Sequence, residues 1–126
     1  DATATALREG VPMSIHSDHP VTPVNPLFTM WVAVNRHTRS GHVLGEHERI
    51  TPLQALTAMT LGGAYLMKCD HDLGSIEVGK WADFTVLAES PLDVDPMHIK
   101  DIRVVGTVLA FAVEWVRGRY VRAAVS

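Results

Sequence analysis

The chain has 126 residues, of which 47% are hydrophobic and 20% are charged, values typical of a folded globular protein. This length supports one domain with a core, whereas a closed (β/α)8 barrel needs roughly 250 residues. The formal net charge of -3 comes without a basic stripe, and no apolar run has the length of a membrane span. We therefore expect neither nucleic acid nor a membrane as a partner.

The cysteine content bears on the cellular compartment of the protein, and the first residue bears on whether the sequence is a piece of a longer one. A single cysteine, Cys69, excludes an internal disulfide framework, and the absence of a charged-then-apolar leader favours a cytoplasmic protein. The chain begins with Asp1 and enters a helix-like run at once, without a start region of its own. We therefore interpret the sequence as cut from something longer.

A short helix and a short strand are predicted first. Residues 2–9 are helix-compatible, and Gly10 supplies the left-handed stop that commonly ends a helix. The apolar run at residues 11–15 ends in a polar cluster at residues 16–20 and predicts a short buried strand followed by a loop. Polar groups are thus expected at the C-terminal end of this strand.

Two further helices are predicted by the same start signal. Asn25 is followed by proline, which combines an N-cap side chain with proline at the first helical position and predicts a helix to about Arg36. Residues 38–49 carry two glycines and mixed charges, which predicts an irregular loop. Thr51, again followed by proline, begins the second of these helices.

The pattern changes after two glycines in that second helix. Gly62 and Gly63 each cost about 1 kcal/mol relative to alanine there, so we expect close packing against a neighbour. From residue 74 onward, short β-like runs alternate with glycine, proline and acidic turns, which predicts an antiparallel sheet. The predicted strands are residues 84–87, 102–109, 113–116 and 120–121.

Two stretches carry a family resemblance. Residues 16–23 read HSDHPVTP and continue through NPL and WVAVNR to TRSG at residues 38–41, and residues 74–87 read GSIEVGKWADFTVL. Both resemble the amidohydrolase superfamily, in particular the branch that includes N-substituted formamide deformylases. Residues 50–64 between them are similar to the helix that leads out of the barrel in that family.

The resemblance implies an α/β fold that is the C-terminal part of a metal-dependent hydrolase. Residues 1–70 would be the last strand and the helices of a (β/α)8 barrel domain. Residues 71–126 would be the C-terminal strands of a small composite β-sandwich domain. The apolar stretch at residues 110–115 departs from the glycine-containing hairpin usual in the family, which leaves the final strand pairing open.

Asp18 matches the aspartate that the family places on its final barrel strand. A carboxylate beside an activated water can ligate a divalent cation and can accept the water's proton during attack on a carbonyl. From the residues alone the favoured interpretation of Asp18 is a turn residue, because Ser-Asp-His-Pro is good turn chemistry at the end of a strand. The resemblance implies that Asp18 is both the catalytic base and a ligand of a divalent metal, zinc, in the complete enzyme.

Other polar residues receive lesser roles. His16 and His19 flank Asp18, and we expect them to line the pocket or to support the metal ligands, although His19 also fits a plain loop residue. Asp83 follows a glycine-lysine turn and is expected to bond nearby backbone amides, a structural role. The remaining histidines show no clustering and are expected to be solvated or structural: His37, His42, His47, His71 and His98.

Two functions remain open. The first is hydrolysis of carbon-nitrogen bonds in small-molecule amides or N-formyl compounds, with a metal site that is incomplete in this chain because the family's histidine ligands have no counterpart in it. The alternative is a non-catalytic structural or assembly module derived from that fold. In either case the strand at residues 11–15 would lack neighbours, so we expect self-association or association with the missing barrel portion.

Overall fold

The computed structural model describes residues 1–109 and the backbone of residues 112–115. Within these residues helices precede a small sheet, as the change of pattern in the sequence predicts. None of these helices combines the length and the apolar character that a membrane crossing needs. The elements are α1 (Thr3–Arg8), α2 (Pro26–Asn35), α3 (Pro52–Met59), α4 (Leu61–Leu66), β1 (Phe84–Leu87), β2 (Val104–Leu109), β3 (Ala112–Trp115) and the 3₁₀ helices Glu46–Glu48 and Pro96–Asp101.

Helices α2 and α3 begin at the caps that the sequence predicts. The Asn25 side chain accepts a hydrogen bond from the backbone N–H of Phe28 at 3.1 Å. Thr51 and Gln54 form a reciprocal capping box, in which each side chain accepts from the backbone N–H of the other residue, at 2.9 and 3.2 Å. Both predicted helix starts are confirmed, and α2 ends where Arg36 turns left-handed, with φ of 59°.

The strand predicted at residues 11–15 is wrong for the described chain, in which these residues belong to no sheet. A β-strand is defined by its backbone hydrogen bonds to a neighbouring strand. No strand of the described residues forms such bonds with this segment. The backbone N–H of Val11 instead bonds to the carbonyl of Ala6 at 2.9 Å, which closes the end of α1. The apolar run is thus a connecting segment between α1 and the loop at residues 16–20.

The single helix predicted after Thr51 is two helices. The backbone leaves helical geometry at Thr60, with φ of −102° and ψ of −86°, so α3 and α4 have separate axes. The later turn at Gly74, with φ of +91°, packs against this break, because a Cβ built there would lie 2.7 Å from the Cβ of Ala64 and 2.9 Å from the Cα of Leu61. The chain therefore folds back on the α3–α4 junction.

The two glycines of α4 differ in their surroundings. A Cβ built on Gly62 would lie 2.4 Å from the backbone carbonyl oxygen of Met13, so the close packing expected there is confirmed. A Cβ built on Gly63 would meet nothing within 4 Å, so the same expectation is wrong for Gly63. Gly62 is the point where α4 contacts the segment that follows α1.

The sheet is antiparallel, as predicted, with strand order β1-β2-β3. Phe84 lies opposite Val108, and Gly106 lies opposite both Val86 and Trp115. Strand β2 begins two residues later than predicted because Pro96–Asp101 is a 3₁₀ helix that leads directly into it. Strand β3 lies one residue earlier than predicted, and the strand predicted at residues 120–121 lies outside the described residues.

One core joins α2 to the 3₁₀ helix Pro96–Asp101. Ile99 in that helix is fully buried, and the indole N–H of Trp31 donates to the carbonyl of Met97 at 2.9 Å. The side-chain amide of Asn35 donates to the carbonyl of Pro96 at 2.9 Å. Residues on both sides of position 70 therefore share this core, and the division into two domains at that position stays a prediction. The buried core is Met30, Trp31, Ala33, Val34, Ile50, Ala55 and Ile99.

Candidate functional site

Asp18 lies in the loop between the segment at residues 11–15 and helix α2. Its carbonyl accepts a hydrogen bond from the N–H of Val21 at 2.8 Å, which closes a tight turn, and the Thr22 hydroxyl bonds to the carbonyl of Ser17. The Asp18 backbone is left-handed, with φ of 53°, a conformation uncommon outside glycine. The residue is exposed, and no bond to its carboxylate is found in the described part of the chain. The turn therefore presents a free carboxylate to solvent.

His16 contacts Asp18 through the backbone of Asp18. The ring Nδ1 of His16 accepts a hydrogen bond from the Asp18 N–H at 3.0 Å. A neutral imidazole that accepts at Nδ1 carries its proton on Nε2, so only Nε2 faces outward as a hydrogen-bond donor. The structure thus brings His16 to the backbone amide of Asp18, and the roles of the two residues in an active site stay predictions.

His19 is less closely tied to Asp18. Its side chain is exposed, and within residues 1–109 no hydrogen bond or ion pair of that side chain is found. A role for His19 in lining a pocket stays a prediction.

A complete metal site is not found among the described residues. They contain no group of three or more histidine, cysteine, aspartate or glutamate side chains placed to hold one ion, whereas a catalytic zinc takes three protein ligands. Asp18 can supply one carboxylate ligand, and His16 has committed its Nδ1 to a backbone amide. The residues present therefore do not by themselves fit a zinc ion.

The turn before β1, in the second motif of the family resemblance, is held by Lys80. Its ammonium group donates to the carbonyls of Asp70 at 2.5 Å and Leu73 at 3.3 Å and to the hydroxyl of Ser75 at 2.7 Å. The Lys80 side chain is only 11% exposed and also lies 3.5 Å from a carboxylate oxygen of Glu77. The lysine of this second motif ties its loop together and leaves no donor for a ligand.

The sequence profile of the amidohydrolase family matches residues 1–110. The chain belongs to the amidohydrolase family. The match includes both the Asp18 turn and the Lys80 turn.

Relatives in the amidohydrolase family are much longer than this chain. An N-substituted formamide deformylase of Arthrobacter pascens is 36% identical over 101 residues, which are 80% of this chain and 19% of that protein. A 5-methylthioadenosine/S-adenosylhomocysteine deaminase of Teredinibacter turnerae is 28% identical over 119 residues, 92% of this chain and 26% of that protein. The crystal structure of an amidohydrolase from Thermotoga maritima matches with a TM-score of 0.65 and 23% identity, covering 91% of this chain and 26% of that one. The chain thus has the fold of one part of that amidohydrolase and spans about a fifth to a quarter of its relatives' length.

A second polar cluster in this amidohydrolase chain lies at the opposite end of α2 from Asp18. Ser40 and the Nδ1 of His42 are 3.0 Å apart, and the hydroxyl oxygens of Thr38 and Ser40 are also 3.0 Å apart. The sequence analysis does not predict this Ser40–His42 pair. The spacing of a serine and a histidine two residues apart was the signal that could have indicated it. Because Thr38 also bonds to the backbone of His42, the cluster closes the loop and resembles a turn more than a nucleophile with its base.

An apolar groove of about 660 Å³ lies between α1, the segment after it and the α3–α4 pair. It contains none of Asp18, His16 and His19, so it is separate from the candidate site. Its lining residues are Leu7, Val11, Pro12, Met13, Leu53, Gln54, Thr57, Ala58, Leu61, Gly62, Tyr65 and Asp70.

Proposed function

We propose that this chain is the C-terminal part of a metal-dependent hydrolase that cleaves carbon-nitrogen bonds in small-molecule amides or N-formyl compounds. The observation that carries the proposal is the turn at Asp18, which presents an exposed and unengaged carboxylate at the position where the motif HSDHP resembles the family's catalytic aspartate. The 36% identity to a protein named an N-substituted formamide deformylase supports this substrate class.

Asp18 would move one proton twice in this reaction. Its carboxylate accepts the proton of the water that attacks the amide or formyl carbon, and it then donates that proton to the leaving nitrogen as the carbon-nitrogen bond breaks. A divalent metal, zinc by the resemblance, would supply electrostatic activation of the water and the carbonyl when it is bound in the complete enzyme. His16 and His19 would lie beside the reacting groups on the same loop.

The remaining parts of the site would come from outside this chain. The described residues offer no group of three metal ligands, and the relatives are four to five times longer than the segment they share with it. We infer that residues 1–70 complete a barrel together with the rest of the enzyme, whose strands would supply the neighbours that residues 11–15 lack in the described chain, and that residues 71–126 contribute strands to a β-sandwich. The partner is therefore the remaining portion of the barrel, and a cytoplasmic location fits this proposal.

Replacement of Asp18 tests the proposal in the complete enzyme. Asp18→Asn keeps the size of the side chain and removes its ability to accept a proton, so turnover of an N-substituted formamide should fall about a hundredfold or more. Asp93→Asn is the matched control, because Asp93 is an exposed loop aspartate in another part of the chain. Turnover by Asp18→Asn close to that of Asp93→Asn would contradict the proposal.

The alternative function is a structural or assembly module without catalysis. The apolar groove, which contains none of the candidate site residues, favours it. Metal content separates the two functions: the complete polypeptide should hold zinc as isolated if it is the hydrolase, and the 126-residue chain alone should hold less than one zinc per chain. A complete polypeptide without bound metal and without hydrolysis would favour the module.

A further inference from the structure

The Asp18 backbone needs support to hold its conformation. A left-handed residue with a Cβ is strained, and such residues persist where the surrounding structure fixes them, frequently at functional sites. Asp18 has φ of 53° and is exposed, so burial does not supply this support. The support must come from local hydrogen bonds.

Three bonds around Asp18 provide it. The Asp18 carbonyl accepts from Val21 at 2.8 Å, and the Thr22 hydroxyl ties the turn to the carbonyl of Ser17. The Asp18 N–H donates to the Nδ1 of His16 at 3.0 Å. This last bond runs from residue i+2 to the side chain of residue i, the pattern by which asparagine and aspartate side chains form turns.

We infer that His16 is a positioning residue, whose Nδ1 holds the backbone of Asp18 in the left-handed turn and so fixes the direction in which the carboxylate leaves the chain. The inference rests on the proposed function of Asp18 for its catalytic consequence, but not for the contact itself. Of the two roles that the sequence suggests for His16, lining the pocket or supporting the metal ligands, the contact favours support, and it specifies that this support acts through the Asp18 backbone. Misplacement of a catalytic group lowers the rate of the reaction. The contact with His16 would keep the Asp18 carboxylate in one geometry and so prevent this loss of rate.

Hydrogen exchange at the Asp18 amide tests the contact directly in the 126-residue chain. Millisecond exchange with residue-resolved mass spectrometry reads this amide in whatever state of association the chain adopts. His16→Ala removes the acceptor, and the Asp18 amide should exchange about fivefold faster, as expected for the loss of one net hydrogen bond. His16→Asn offers a side-chain oxygen at the same place, and exchange should stay within about twofold of the wild-type rate.

The control is His19→Ala, a neighbouring exposed histidine without a bond to this amide in the described chain. Exchange across α2 shows whether each variant keeps its fold, and His16→Phe, which also lacks an acceptor, takes the place of His16→Ala in the comparison with the wild type and His16→Asn if His16→Ala unfolds. Equal exchange in the wild type and His16→Ala, or His16→Asn no slower than His16→Ala, would overturn the inference.

The catalytic consequence is measured separately in the complete enzyme. His16→Ala should lower kcat about tenfold with KM nearly unchanged, and His16→Asn should recover most of the loss. A loss that His16→Asn does not recover would mean that the ring itself acts on the substrate, against a positioning role. If Asp18→Asn leaves turnover intact while the exchange results hold, the proposed base is wrong and the backbone contact stands.

Discussion

Glu48 is a buried carboxylate that joins the loop before α3 to helix α1. It is 7% exposed, its carboxylate accepts from both the hydroxyl and the N–H of Thr5, and its carbonyl accepts from the Thr3 hydroxyl at 2.7 Å. The two Thr5 donors hold the pKa of Glu48 below its usual value of 4.5, against the opposing effect of desolvation. A lowered pKa means that the ionised form stabilises the fold, so this contribution is present above pH 4.5 and is lost as the pH falls through the lowered pKa.

The acid dependence of Glu48→Gln tests this contribution. The amide cannot ionise, so the wild type should melt at a higher temperature than the variant near neutral pH, and the gap should shrink as the pH falls below 4.5 and through the lowered pKa of Glu48. Thermal melts across this range measure the gap. Glu46→Gln is the control, because Glu46 lies in the same 3₁₀ helix but is exposed and, among the residues that the structure describes, pairs with Arg49 at the surface. A gap that does not change with pH would contradict the prediction.

The sequence predicts side-chain hydrogen bonds between residues a few positions apart, but it does not predict those between residues distant in the chain. The caps at Asn25 and Thr51 were predictable because donor and acceptor lie three residues apart. The partner of Glu48 is Thr5, 43 residues earlier, and nothing in either residue's neighbourhood indicates the other. The motif around Asp18 predicts a catalytic carboxylate, whereas nothing in the sequence indicates its left-handed backbone or its bond to His16.

Helix α4 contains a matched pair of glycines that tests how it packs on the segment after α1. Gly62→Ala would place a Cβ 2.4 Å from the Met13 carbonyl oxygen, a backbone atom that cannot move alone, so we expect destabilisation of about 1–3 kcal/mol. Gly63→Ala meets open space in a helical position and should stabilise by roughly 0.5–1 kcal/mol. Chemical denaturation of both variants measures the difference, and equal effects would mean that α4 does not contact Met13 in solution.

The sequence predicts those helices and strands whose signals lie within a short stretch of neighbouring residues. Strands β1 and β2 follow from short β-like runs bounded by turn residues, and the helix starts follow from capping, both of which a short window of sequence contains. The break at Thr60 was not visible, because it coincides with the packing of Gly74 from a distant turn. The segment at residues 11–15 has the composition of a strand but no partner in the described chain, and pairing is a property of two segments.

At the scale of the whole molecule, the described chain leaves apolar surface and sheet edges without partners. Leu53, Thr57, Leu61 and Tyr65 recur every four residues along α3 and α4 and form one wall of the groove, where Leu53 is 60% and Tyr65 52% exposed. Within the described sheet β1 pairs with β2 alone, so its other edge is open. Exposed apolar stripes and open edges are the features through which chains associate.

We therefore predict that the 126-residue chain does not persist as a free monomer. Its groove and its edges should be buried against copies of itself, or against the rest of the barrel when that is supplied, because leaving apolar surface in water costs about 25 cal/mol per Å². Multi-angle light scattering should give a mass above that of one chain, and Leu53→Lys should shift the mass toward one chain by placing a charge in the groove wall. Val78→Lys is the control, since Val78 is a fully exposed apolar residue that does not line the groove. A monodisperse monomer at micromolar concentration with a cooperative thermal transition would mean that the chain closes its own core, and the proposal that it completes a larger barrel would then be wrong.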